Sequence, residues 1–161
     1  ELQTRAGRSI PNHIEPKPLS HQLNEEQFAR MNPGHRLRKP VDWLRNYNCA
    51  GHVWASRRTC IDYEWSHIIM IREDDGYREV ARANVDVGDL ALYTAIEEGK
   101  PTLLHVARVI KITSSTLGSR FKNIIALSKW GLPVGETIHS VDARPKVLQD
   151  AELHFWTDRA A

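Results

Sequence analysis

The chain has 161 residues, 41% hydrophobic and 26% charged, which is enough apolar material for one globular domain and cramped for two. The formal net charge is +2, from 22 basic and 20 acidic residues, so no global field calls for nucleic acid. No run approaches the roughly 18 apolar residues of a membrane helix, and Glu1 to Ser9 lacks the apolar core of a signal peptide. The expectation is a cytoplasmic protein, or one secreted as part of an effector, without a membrane or nucleic-acid partner. A start at Glu1 also fits a trimmed fragment. Two cysteines, Cys49 and Cys60, are too few for a disulfide scaffold or a cysteine-rich zinc site, and both read as reduced thiols.

Residues 1–23 are polar, with Pro11, Pro16 and Pro18, and read as an extended or disordered arm; 24–161 reads as a single domain. Asn24, with Gln27 three residues on, fits a capping box for a helix to Met31, ended by Asn32-Pro33-Gly34. Pro40 suits a turn or the first position of a short helix through Trp43 and Leu44. Asn48 is a good N-cap for a helix from Cys49 to about Arg58, with Ala50, Val53 and Trp54 at helical spacing. Residues 62–73 fit a helix through Trp65, Ile68, Ile69 and Arg72, although Ile68 to Ile71 could equally be a strand.

The rest reads as β. Val87 to Tyr93 is an apolar run entered through Gly88-Asp89, 97–101 is a hairpin loop, and Leu103 to Ile112 and Phe121 to Trp130 are strands. Gly131 to Gly135 turns, and Glu136 to Val141 pairs back. Helices first and an antiparallel meander after give an α+β class, with N-terminal helices packed on a small antiparallel sheet.

A thiol at a helix start is favoured as a thiolate by the helix dipole, which makes Cys49 a candidate nucleophile. Of eight histidines, His105 stands out because it interrupts an apolar strand. His52, three residues after Cys49, could touch it but without a rigid attack geometry.

Asn48-Cys49-Ala50-Gly51, Gly88-Asp89-Leu90-Ala91-Leu92-Tyr93 and His105-Val106-Ala107-Arg108-Val109, in that order, resemble the papain-like superfamily, and in particular its NlpC/P60 branch. Leu127-Ser128-Lys129-Trp130-Gly131 is similar to the segment of papain relatives whose Asn orients the His. The resemblance spans about residues 46–140. It implies Cys49 as nucleophile, His105 as base and Ser128 at the third position, with His139 a second choice for that role. Two departures stand out: Ala50 follows the cysteine, and Ser128 replaces the usual Asn, His or Gln.

The implied function is a cysteine peptidase or amidase without cofactor or metal. Cys49 attacks a carbonyl, His105 protonates the leaving amine, and water resolves the thioester. The Cys49 N–H is one oxyanion donor, and Asn46, Tyr47 or Asn48 could supply a second. Trp130 could shield the imidazole. The implied partners are a peptide or protein substrate, with a larger parent protein or an inhibitor (immunity) protein as further options; cell-wall peptides and bacterial toxins or effectors supply the context. The principal alternative is a non-catalytic protein- or peptide-binding module. A metal site from Cys49, His52, His67 and His105 matches no standard zinc spacing, and Arg36, Arg38, Lys39, Arg57 and Arg58 read as a solvated basic rim.

Overall fold

The computed structural model describes residues 1–14, 21–38, 47–62, 64–114, 122–131 and 134–160. In chain order the elements are β1 (Asn12–His13), α1 (His21–Met31), β2 (His35–Leu37), α2 (Cys49–Trp54), β3 (Cys60–Ile61), α3 (Trp65–Asp74), β4 (Arg78–Glu79), β5 (Leu90–Glu97), β6 (Lys100–Ser114), β7 (Lys122–Lys129), β8 (Glu136–Ser140) and β9 (Glu152–Thr157). Seven strands form one antiparallel sheet in the order β2-β8-β7-β6-β5-β9-β4, and β1 pairs with β3 in a separate ribbon.

This overturns the expected fold class. The chain is dominated by a large sheet (40% strand against 22% helix), not by N-terminal helices on a small one. Short strands from the N-terminal half, β2 and β4, form both edges of the sheet. The helices lie on opposite faces of it: α2 and α3 pack on one, and Phe28 of α1 on the other.

Both faces of the sheet are covered. On the first, Leu90, Leu92, Leu103, Val106 and Trp156 pack with Ala50 and Val53 of α2 and Ile68 and Ile71 of α3. On the second, Ala91, Ala107, Val109, Ile124, Ala126 and Phe155 pack beneath Val85 and Val141. Farther along that face, Tyr93 and Trp130 pack with Leu148 and Phe28. A sheet buried on both faces needs apolar residues at successive positions, which is why the strands read as continuous runs and not as alternation.

The Gly88-Asp89 turn is a clamp. Gly88 takes a φ of 99°, a region that favours glycine. The Asp89 carboxylate accepts from the Asp86 N–H at 2.8 Å and from Arg159 at 2.7 Å, tying the chain beyond β9 to the start of β5. Residues 1–14 lie against the body: Ile10 is buried in the first core, and Thr4 and Arg8 both bond Asp74. The helix expected from Asn24 already runs at His21, so Asn24 lies inside it. The short helix expected after Pro40 falls outside the described residues. No described helix is long and apolar enough to cross a membrane.

Candidate functional site

Asn48 caps α2 as expected, accepting from the Gly51 N–H at 2.8 Å. It also bonds Ile61 in both directions, with Nδ2 donating to Ile61 O at 2.8 Å and Oδ1 accepting from Ile61 N at 3.2 Å. Its amide is therefore committed to holding β3, not to an oxyanion. The helix is shorter than expected and ends at Trp54, because Ser56 and Arg57 take φ values of 49° and 67°. That reversal returns the Arg57 side chain to the sheet. Gly51 is required by a close approach: a Cβ there would lie 1.8 Å from Thr59 O.

Cys49 is 2% exposed and belongs to the first-face core. The register shows what faces it. Leu92 pairs with Val106 and Leu90 with Arg108, Val106 packs in the same core as Cys49, and Arg108 Nη2 donates to Val53 O of α2 at 2.9 Å. Val106 and Arg108 therefore point toward α2. Successive strand residues point to opposite faces, so His105 and Ala107 point away from it.

The neighbours of His105 agree. It is 3% exposed, stacks on Trp130 (centroids 3.8 Å apart, planes at 8°) and lies 5.7 Å from Tyr93, both in the second-face core. Its Nε2 has no hydrogen-bond partner among the described residues. Burial pushes its pKa well below the usual histidine value, with His139, His52 and His35 adding to the effect. The structure therefore places Cys49 and His105 on opposite faces of the sheet and does not bring them together.

Each face carries its own polar cluster. On the first, Glu136 is fully buried. It accepts from Tyr47 Oη at 2.7 Å, Arg38 at 3.0 Å and Arg57 Nε, and His52 Nε2 lies 3.5 Å away. Burial would raise the Glu136 pKa, but the bonds from Arg57 and Tyr47 hold it below the ordinary carboxylate value. His52 is driven down to about 4, chiefly by burial, and its Nδ1 has no partner among the described residues. Tyr47 thus donates its hydroxyl to Glu136 and is not an oxyanion donor. Lys129 donates to Gly131 O at 2.6 Å and to Val134 O, and burial lowers its pKa to about 8.

On the second face, Ser128 meets His139, not His105. His139 Nδ1 lies 2.8 Å from Ser140 O, a carbonyl that can only accept, so Nδ1 carries the proton and Nε2 accepts from Ser128 Oγ at 2.8 Å. Burial lowers His139 to about 4. His35 stacks on His139 at 4.4 Å, and Trp130 Nε1 donates to Thr137 Oγ1 at 2.8 Å. Trp130 stacks on His105, but no thiol lies beneath it. Asn46 falls outside the described residues. Among those residues no group of three or more His, Cys, Asp or Glu is placed to hold a metal ion.

Open space lies elsewhere. Beneath α3, a cleft of about 180 Å³ is lined by Trp65, Arg72, Leu92, Ile96, Pro101 and Trp156, among others. A second, of about 560 Å³, lies on the other side of β9 beside Arg82, Arg144, Leu153 and Phe155. None of Cys49, His105, Ser128, His139, Tyr47 or Trp130 lines either cleft or the third one, between Trp65 and Pro101.

Sequence reasoning missed Glu136, because a carboxylate in a strand ordinarily marks a solvated position. It also missed β9, whose Glu152-Leu153-His154-Phe155-Trp156 alternation was a usable signal. No family model, curated protein or solved structure matches the chain.

Proposed function

We propose that this chain is a peptide-binding module and not a hydrolase working through Cys49 and His105. The observation that carries this reading is where open surface and buried chemistry lie. The cleft beneath α3 offers two tryptophans and aliphatic walls to a ligand, a composition suited to apolar side chains. The thiol and the imidazoles are closed within the two cores.

One feature favours a competing reading. Cys49 begins a capped helix on the same face as His52, and His52 leans on Glu136. A thiol hydrolase with His52 as base would use that arrangement, although an imidazole titrating near 4 is a weak base at neutral pH.

The two readings separate on one experiment. Incubated with a synthetic peptide pool and passed through a sizing column, the protein is expected to retain a subset of peptides uncleaved. Replacing Trp65 by Ala should remove that retention with the fold intact by circular dichroism. Cleavage that disappears in Cys49→Ala would overturn the binding reading in favour of the thiol one.

A further inference from the structure

Three imidazoles gather around one indole on the second face. His35 of β2 stacks on His139 of β8, with centroids 4.4 Å apart and planes at 20°. His35 also meets the Trp130 ring edge-on at 5.3 Å, and Trp130 in turn stacks on His105. His35 and His139 are both buried.

Every ring nitrogen of the stacked pair is committed. His35 Nε2 lies 2.7 Å from Ala143 O, a carbonyl that only accepts, so Nε2 carries the proton. Its Nδ1 is then an acceptor, facing Thr137 Oγ1 at 3.5 Å. His139 is the opposite tautomer, with Nε2 accepting from Ser128 Oγ. Among the described residues no carboxylate compensates a charge on either ring. Glu25 of α1 accepts from Gly135 N, and Glu26 and Arg30 are exposed. Asp142 holds Arg82, and Arg144 donates to Ala151 O. Arg38 bonds Glu136, which lies with Lys129 on the first face, and Arg36 alternates away from His35. A proton on one ring therefore disfavours a second proton on the other.

The two rings sit on parts that can separate. His139 belongs to the sheet interior, whereas β2 is a three-residue edge strand paired with β8 alone. Phe28 of α1 closes the same patch, packing on His35 at 5.4 Å and Trp130 at 5.6 Å.

We propose that the α1–β2 unit is an acid-released flap: protonation of the His35–His139 pair lifts it from the sheet edge and uncovers Trp130, while the central strands stay paired. The inference goes beyond the peptide-binding reading and does not depend on it.

The sign follows from burial. Both rings are held below the ordinary 6.5 when the flap is closed. The opened unit binds protons that the closed one refuses, so opening grows as pH falls. Releasing two imidazoles raises the opening constant about 70-fold between pH 7 and 5.5, and releasing one raises it about eightfold.

The test is amide hydrogen exchange on the intact chain across that range, corrected for the intrinsic pH dependence of exchange. Arg38 N, which donates to Glu136 O at 2.8 Å, reports on the flap; Val109 N, which donates to Asp89 O at 2.8 Å, reports on the central sheet. Arg38 protection should fall about 70-fold. It should be lower than that of Val109 at each pH and insensitive to low urea concentrations, as a local opening requires. His139→Asn should reduce the fall to about eightfold, with His35→Asn in its place where the first variant does not fold. Arg38 protected as strongly as Val109, protection unchanged by pH, or an undiminished fall in the folded variant would overturn the flap.

Discussion

Glu136 holds a charge in the sheet interior because four side chains converge on it. Tyr47, Arg57 and His52 come from the α2 segment and Arg38 from beyond β2. Removing one member of a buried ion pair leaves the other uncompensated and costs about 3–5 kcal/mol. Glu136→Ala should therefore lower stability by about that amount in urea titrations. Tyr47→Phe, which removes one bond from a still-paired carboxylate, should cost only about 1–2 kcal/mol. Equal losses would mean that the network is not organised around Glu136. At this scale Asn48 and Cys49 were legible, since a cap and a first helical residue are local features. The burial of His105 was legible from its apolar neighbours. Its partner was not, because a strand residue's direction depends on its register.

That register is set at the level of elements. Tyr93 pairs with His105 but Thr94 pairs with Leu103, so Leu104 is an extra residue in β6. Beyond such a bulge the inward and outward positions exchange, and a shift of one residue moves every side chain to the other face. Leu103, Leu104, Val106, Ala107 and Val109 are apolar on both faces, so the sequence carries no alternation from which to choose. The motif order that made a dyad attractive constrained which strand the histidine occupied but not the face it used. α2 shows the opposite case: its start was readable from Asn48, and its tight seat from Gly51. Gly51→Ala should be severely destabilising, by more than about 3 kcal/mol, because the clash is with the Thr59 backbone and not with a flexible side chain. A melting temperature within a few degrees of wild type would contradict that packing.

Across the whole molecule, the sheet buries histidines on both faces, and this sets its response to acid. His52 and His139 titrate near 4 when folded, and burial holds His105 well below the ordinary 6.5. The unfolded chain therefore binds protons that the folded chain refuses. Stability is full above about pH 6.5 and falls as pH drops, by up to about 1.4 kcal/mol per unit for each such histidine. The loss from His52 and His139 ends near pH 4. Urea midpoints should fall steadily from pH 7 to 4.5, and His139→Asn should flatten the slope by one histidine's share. A level profile would place these imidazoles in contact with solvent. The same two-faced burial explains the fold-class error: strands that read as a small meander serve a seven-stranded sheet, and β2 and β4, of three and two residues, were too short to read. It also isolates the thiol from the imidazole, which is the centre of this account. The direct measurement is the alkylation rate of Cys49 against Cys60 between pH 5 and 9, in wild type and in His105→Asn. The expected result is a Cys49 no faster than Cys60 at neutral pH and unchanged by the substitution. A fast Cys49 that slows when His105 is replaced would put the two residues on one face and contradict the account.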